Sequence, residues 1–587
     1  MRRLTTAIIA AAIAALALSS IDSKACSNVL VTKGASTDGS NMISYAADSH
    51  QLYGELYFKK AGTWKPGDMR RIDEWDTGKH LGYIPEIANT YQRVGNMNEH
   101  QLIIGETTYG GRPELEDPKG IMDYGSLIYV ALERAKTARE AIKVIVDLAN
   151  TYGYYSSGES FSIADTEEVW VMDLIGKGPD NKGIVWVARR VPDGYICAHA
   201  NQARISTFPL NDPENCMYAP DVITFAREKG YFNGEDKDFS FCDAYAPLDF
   251  SGMRACEARA WSAFNILCDG KFTFEDENGN IVTKDAYDYN DYAMGYDKTK
   301  RFPLFVKPSR KISVKDVADV MRDHYEGTPM DMTQDIGAGG NALPYRWRPM
   351  GFEHEGKKYI NERAIATQQT GFWFVGQSRG WLPDTIGGVN WFGCDDAATS
   401  YLTPIYTTTY DVPECFRVGN GNMITYSPTS AFWVTNRVAN ACYKAYDMMA
   451  PTVREAIDSW ENEMIAAVAK ADEEALKMYN EADKKPRKQI KRNDKAQKVV
   501  DPYASVRNYL TEFSVGNAQK IFNKWVKLEE LLLVKFIDGN VKAQNEDGSF
   551  VTNEHTDCIP AKISQPGYTA KWKEAVAKDH GEVIIEK

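Results

Sequence analysis

Histidine is scarce in this chain, eight in 587 residues, and neither a CxxC pair nor an HExxH run occurs. The ligand spacing of a zinc site is therefore missing, and nothing in the sequence calls for a metal or another cofactor. Past the first two dozen residues, no apolar stretch approaches the about 18 residues that a membrane-crossing helix needs. Positive charge is also short: 68 Lys and Arg face 81 Asp and Glu, for a formal net charge of −13. A chain this acidic is a poor partner for nucleic acid or an anionic membrane surface. No internal repeat is visible, which excludes a solenoid. Gly337–Gly340 is glycine-rich but lacks a surrounding strand–helix frame, so it is not a phosphate-cradling loop. Asp276, Asn278 and Asn280 imitate a calcium loop, yet Ile281 and Tyr287 stand where that loop needs Gly and Glu. A hairpin turn at Asn278-Gly279 fits these residues instead.

What is present belongs to a folded protein. Hydrophobic residues make up 43% and aromatics 12%, and the length suffices for a large core and for two domains. The first 25 residues read as a secretory signal. Arg2 and Arg3 precede an apolar run from Leu4 to Leu18, broken only by Thr5 and Thr6, and Ser23-Lys24-Ala25 offers small residues at the cleavage positions. The expected destination is the periplasm or the outside of the cell. Cleavage after Ala25 removes three basic residues and one acidic residue, leaving 562 residues with a net charge of −15.

Cleavage there makes Cys26 the first residue. An N-terminal cysteine carries a nucleophile and a free α-amine together. With a pKa of about 7.7–8.0, that amine is in part neutral near physiological pH and can take the thiol proton. Two plainer readings stand beside this one. Cys26 can be a structural cysteine, or a lipid-anchored one, although Ser23 and Lys24 occupy positions where a lipoprotein signal prefers Leu and a small residue. Nine further cysteines are spread from Cys197 to Cys558. In an exported protein several are expected in disulfides, with at least one more left unpaired if Cys26 is free.

Ser27–Thr32 and Met42–Ala46 read as the two arms of a hairpin turning at Asp38-Gly39, with Asp48 just past the second arm. Gln101–Gly105 is another strand, running into Glu106-Thr107-Thr108. Two helices follow, Tyr124–Ala135 and one opened by Thr137 and Glu140 in a capping-box pattern and closed by Gly153. Four strand-like runs come next: Phe161–Ala164, Val169–Asp173, Ile184–Ala188 and Tyr195–Ala200. The order suggests an α+β fold, a sheet covered by helices on at least one face. From about Thr452 the pattern turns helical and charged, with a basic run at Lys484–Arg492 and a further helix at Asn517–Val534.

Several stretches resemble the cysteine dipeptidases of the N-terminal-nucleophile hydrolase superfamily, relatives of penicillin V acylases and bile salt hydrolases. They are Cys26–Asp48, Gly95–His100 with Gly105–Thr108, Ala135–Gly153, Ala198–Ile205, Arg322–Pro329 and Gly387–Gly393. The likeness spans roughly Cys26 to Val438. It implies a four-layer αββα sandwich over residues 26–450, followed by a mainly helical region at 451–587. It also implies roles: Cys26 as nucleophile, Asp48 holding its amine, Asn201 donating to the oxyanion, Arg259 as the active-site arginine, and Thr107 as a substrate-binding contributor. One departure is plain: where such proteins commonly carry arginine three residues before the aspartate, this chain has Tyr45. The implied activity is hydrolysis of dipeptides or short peptides through a thioester. Two alternatives stay open, a non-peptide amide hydrolase on the same fold and a lipid-anchored binding protein without chemistry. The sequence also leaves a homo-oligomer open.

Overall fold

The computed structural model describes residues 26–484 and 501–586. The expected signal segment and most of the basic run after Lys484 lie outside the described residues.

The first hairpin forms as its residues dictate. Strand β1 (Asn28–Val31) and strand β2 (Asn41–Asp48) are buried throughout, because the sheet they enter is covered on both faces. Asp38 shapes the turn by accepting from the backbone N–H of Ser40 at 3.0 Å. Strand β3 (Ile103–Tyr109) then runs straight through Glu106, Thr107 and Thr108, which read from the sequence as the polar end of a shorter strand. These residues stay in the strand because their side chains find polar partners inside the protein.

Helix α1 (Tyr124–Arg134) and helix α2 (Ala138–Tyr152) follow. The Thr137 side chain caps α2 by accepting from the Glu140 N–H, while the Glu140 carboxylate takes the N–H of Lys136 at 2.8 Å. Gly153 ends α2 at φ +83°, a conformation that a side chain resists. Next come β4 (Gly158–Ala164), β5 (Val169–Gly176), β6 (Ile184–Arg190) and β7 (Ile196–His199). Farther on lie α3 (Ala258–Leu267), α4 (Val314–Val320), β8 (Thr370–Ser378), β9 (Gly388–Cys394) and β10 (Thr403–Tyr406). Residues 271–285 form the hairpin read at Asn278-Gly279.

These strands make two sheets. One is ordered Phe305–Val306, β7, β1, β2, β8, β9, β10, and the other runs Cys216–Tyr218, β6, β5, β4, β3 and three short strands. The sheets face one another, with β2 against β3 and β4. Gly105 sets how closely they approach at the front, since a Cβ there would lie 2.9 Å from Asn28 Nδ2 and 3.2 Å from Tyr45 Cβ. Helices α1 and α2 pack on the second sheet, and α3 and α4 on the first. The architecture is thus a mixture of helix and sheet, as expected.

Three long helices follow, α5 (Ala431–Lys444), α6 (Tyr446–Asp483) and α7 (Ala504–Lys535), and after them come short strand pairs and a last helix, Ala570–His580. A boundary at 450 falls inside α6. Pro451 lies inside this helix, and the helix runs through it, since one lost backbone donor is outweighed by packed side chains such as Met449, Val453 and Ile457. Burial of each such aliphatic side chain contributes about 1.5–3 kcal/mol. Glu461 of α6 holds Arg322 at 2.6 Å and accepts from the Leu402 N–H at 3.1 Å, with both side chains of the pair 3% exposed. Glu461→Ala takes the buried carboxylate from that guanidinium, leaving it Asp319 at 3.2 Å, and is expected to destabilise the protein by up to about 3–5 kcal/mol, read as a fall in thermal midpoint. Among the described residues, no helix is long and apolar enough to cross a membrane.

The cysteines correct the expectation of disulfides. All ten are free thiols, eight of them buried.

Candidate active site

Cys26 sits at the mouth of β1, the strand held between β7 and β2. Its position is fixed from three sides. The backbone nitrogen donates to Asn201 Oδ1 at 2.9 Å. The carbonyl oxygen accepts from Arg259 Nη1 at 2.6 Å, and the same nitrogen of Arg259 donates to Ser27 Oγ at 3.0 Å. The sulfur receives the Asp48 backbone N–H and lies 3.3 Å from Glu106 Oε1.

Asn201 stands just past β7 at φ +53°, a left-handed conformation that asparagine tolerates better than most residues. Its Oδ1 takes both the Cys26 nitrogen and Arg259 Nη2, the latter at 2.9 Å. Its Nδ2 donates to the Thr108 carbonyl at 2.6 Å, tying the first sheet to the second. Arg259 lies on α3, directly after a π-helical turn over Gly252–Glu257, and is 2% exposed. Such turns widen a helix and are frequent at functional sites.

Asp48 ends β2 after a bulge that shifts its register against β8, so that it pairs with Thr370. Its carboxylate accepts from Arg363 Nη2 at 2.6 Å and Thr370 Oγ1 at 2.7 Å. Burial pushes its pKa up to about 6, against the lowering pull of Arg363, Thr370 and Arg259. Burial also lowers Arg363 to about 10, helped by the nearby Arg259 charge. Neither Arg363 nor Glu106 stood out from the sequence. Arg363 comes from an irregular segment with no periodicity to mark it. Glu106 did carry a signal, a carboxylate beside a glycine in a strand opened by two isoleucines.

Tyr45 is fixed by edge contacts with Phe372 and Phe374, both at 5.8 Å between ring centroids. Its hydroxyl donates to Glu106 Oε1 at 2.5 Å and lies 3.9 Å from the Cys26 sulfur. Burial, then the charges of Glu106 and Asp48, drive the Cys26 thiol well above its ordinary pKa. The thiol is therefore protonated at rest, and reaction at sulfur requires a base.

Thr107 faces the other way. Its hydroxyl is buried between the sheets, 2.7 Å from His199 Nδ1, and His199 Nε2 in turn meets Ser162 Oγ at 2.6 Å. Burial, helped by Arg204, holds His199 near 3, so the ring is neutral. The structure thus brings Cys26, Asp48, Asn201 and Arg259 together and sets the Thr107 side chain apart from them.

Residues 68–459 match the family described as Peptidase family C69. The chain is 25% identical over 477 residues to a "Probable dipeptidase" of Latilactobacillus sakei, covering 77% of this chain and 89% of that protein. It is 24% identical over 408 residues to a "Probable dipeptidase" of Salmonella dublin, covering 65% and 81%. It is 23% identical over 479 residues to "Dipeptidase A" of Lactobacillus helveticus, covering 77% and 88%.

Proposed function

The chain belongs to peptidase family C69, a family of cysteine peptidases, and from that premise we propose that it is an exported dipeptidase whose nucleophile is Cys26 after cleavage at Ala25. The observation that carries this reading is the convergence of Asn201, Arg259 and the Asp48 backbone on the nitrogen, carbonyl and sulfur of one cysteine. Two facing sheets with helices against each support reading the fold as the αββα sandwich of the N-terminal-nucleophile hydrolases.

In the proposed reaction the Cys26 α-amine takes the thiol proton, and the sulfur attacks the peptide carbonyl. The amine returns the proton to the departing amino acid, and water then resolves the thioester. Asn201 orients the amine through Oδ1, and its Nδ2, which gives one hydrogen to the Thr108 carbonyl, offers its other hydrogen to the oxyanion. Asp48 and Arg363 supply the charge frame behind the nucleophile. The protein is tested by turnover of a dipeptide panel, with the N-terminus confirmed by mass. Cleavage of acyl-amides but not dipeptides would replace the substrate and keep the nucleophile. A lipidated Cys26 with no turnover would end the proposal.

The Asp48 carboxyl gives a pH signature. Its pKa of about 6 lies above the ordinary value of about 3.9, so the fold favours the protonated form. Its contribution to stability is full below about pH 4 and is lost as the pH rises through about 6. Catalysis moves oppositely, since the proposed frame needs the ionised carboxylate. We expect kcat to rise through a limb at about pH 8 set by the Cys26 α-amine, with a further one-proton limb near pH 6 that the residual activity of Asp48→Asn lacks.

A further inference from the structure

Glu106 takes no part in the chemistry proposed above, yet its carboxylate is 3.3 Å from the reacting sulfur. The residue is 1% exposed. Its hydrogen-bond partners are all neutral: the Tyr45 hydroxyl and the Cys26 thiol on Oε1, and the Thr108 hydroxyl on Oε2 at 3.4 Å. Some buried carboxylates in this fold have cations: Asp48 has Arg363, Glu257 has Arg204, and Glu461 has Arg322. Glu133 has three, Lys59, Arg70 and Arg93. Asp173 and Asp396 are held by neutral donors, as Glu106 is, but Glu106 lies beside the reacting sulfur. Among the described residues, no basic side chain forms an ion pair with Glu106.

A buried carboxylate without a counter-charge is unfavourable, and beside a nucleophile it has a second drawback. Its field keeps the proton on the thiol. Both effects reverse when a cation arrives with the substrate. A dipeptide brings such a cation in a defined place. Its α-ammonium nitrogen is two bonds from the scissile carbonyl carbon, and that carbon must come within roughly 3–3.5 Å of sulfur to react. The ammonium group is therefore confined to a few ångströms around the sulfur, which is where Glu106 lies. Asp48 is already engaged by Arg363 and Thr370, and Arg259 repels a cation.

We propose that Glu106 is the specificity-determining residue that receives the free α-ammonium group of the substrate. This rests on the dipeptidase reading above and goes beyond it, because it names the chemical group that the site reads. Tyr45 donates to the same oxygen and sets the carboxylate's orientation. The Thr108 hydroxyl also donates to Glu159 at 3.0 Å, which places a second carboxylate behind the first. Binding of the ammonium group then removes the charge that opposes thiol ionisation, so recognition and activation are coupled.

The experiment compares alanyl-alanine with N-acetyl-alanyl-alanine, using the matured wild-type protein and Glu106→Gln. The wild type is expected to favour the free amine, and in Glu106→Gln that preference in kcat/KM falls by about 10- to 100-fold. Retention of the preference in Glu106→Gln, or an equal fall on both substrates, overturns the proposal while leaving the dipeptidase reading intact. Should Glu106→Gln fail to fold, the wild type alone decides, for equal turnover of the two substrates excludes an ammonium reader. A wild-type protein inert toward alanyl-alanine and every other dipeptide removes the reading and this inference together.

Discussion

A Cys26→Ala protein with its leader removed is expected to hydrolyse dipeptides at least about 10⁴-fold more slowly than the wild type, a loss of the size seen when a covalent nucleophile is deleted. The fold should survive, because the alanine side chain keeps the β-carbon and the backbone contacts. The Cys26 nitrogen still reaches Asn201, and the carbonyl still receives Arg259. Only the sulfur is removed from its place beside Glu106 and the Asp48 N–H. Measuring both turnover and thermal midpoint separates chemistry from stability. Substantial hydrolysis by a folded Cys26→Ala protein would exclude Cys26 as nucleophile and leave the site without an explanation.

Arg259→Met should carry the second largest effect, a fall in kcat of about 10²–10³-fold, comparable to loss of a preorganised donor at a reacting centre. The guanidinium makes four hydrogen bonds, to Ala255 O, Cys26 O, Ser27 Oγ and Asn201 Oδ1. Methionine matches much of its volume and supplies none of the donors. The Cys26 carbonyl would be left buried and unsatisfied, and Asn201 would lose one of the partners that fix its amide. Each orphaned polar group costs about 1–3 kcal/mol, so a lower thermal midpoint should accompany the lost rate. Arg259→Lys should not restore activity, because an ammonium group cannot span Cys26 and Asn201 with one planar fork. Near-normal kcat in Arg259→Met would show that the arginine serves the fold alone.

The sequence was most informative where chemistry and local order coincide. Cys26 follows a cleavage pattern and opens a strand, and Asp48 closes the partner strand of the same hairpin. Asn201 follows a further strand of that sheet; the roles of Asp48 and Asn201 came from the family resemblance, and the strands place both residues beside Cys26. Arg363 could not be found in this way. It reaches Asp48 across 315 residues of sequence, from a segment whose conformation is set by tertiary packing. Glu106 was visible as an oddity, but its meaning depends on the approach of two sheets, which no periodicity reports. The disulfide expectation failed for a related reason. Export permits pairing, while geometry decides it, and the buried thiols here lie on different elements of a close-packed core. Helical periodicity after Thr452 was legible, but α6 starts earlier, at Tyr446, and runs through Pro451.

The last two long helices also determine how the molecule ends. Strand β10 terminates its sheet and would otherwise present unpaired backbone groups to solvent. Instead the Tyr406 N–H donates to Ser514 Oγ on α7 at 3.2 Å, and farther along the Tyr410 N–H donates to Thr511 Oγ1 at 3.0 Å. The helix acts as a plug on a surface that another chain could extend by adding a strand. A truncation after residue 450 is expected to uncover that edge, and size-exclusion chromatography would read the result as self-association.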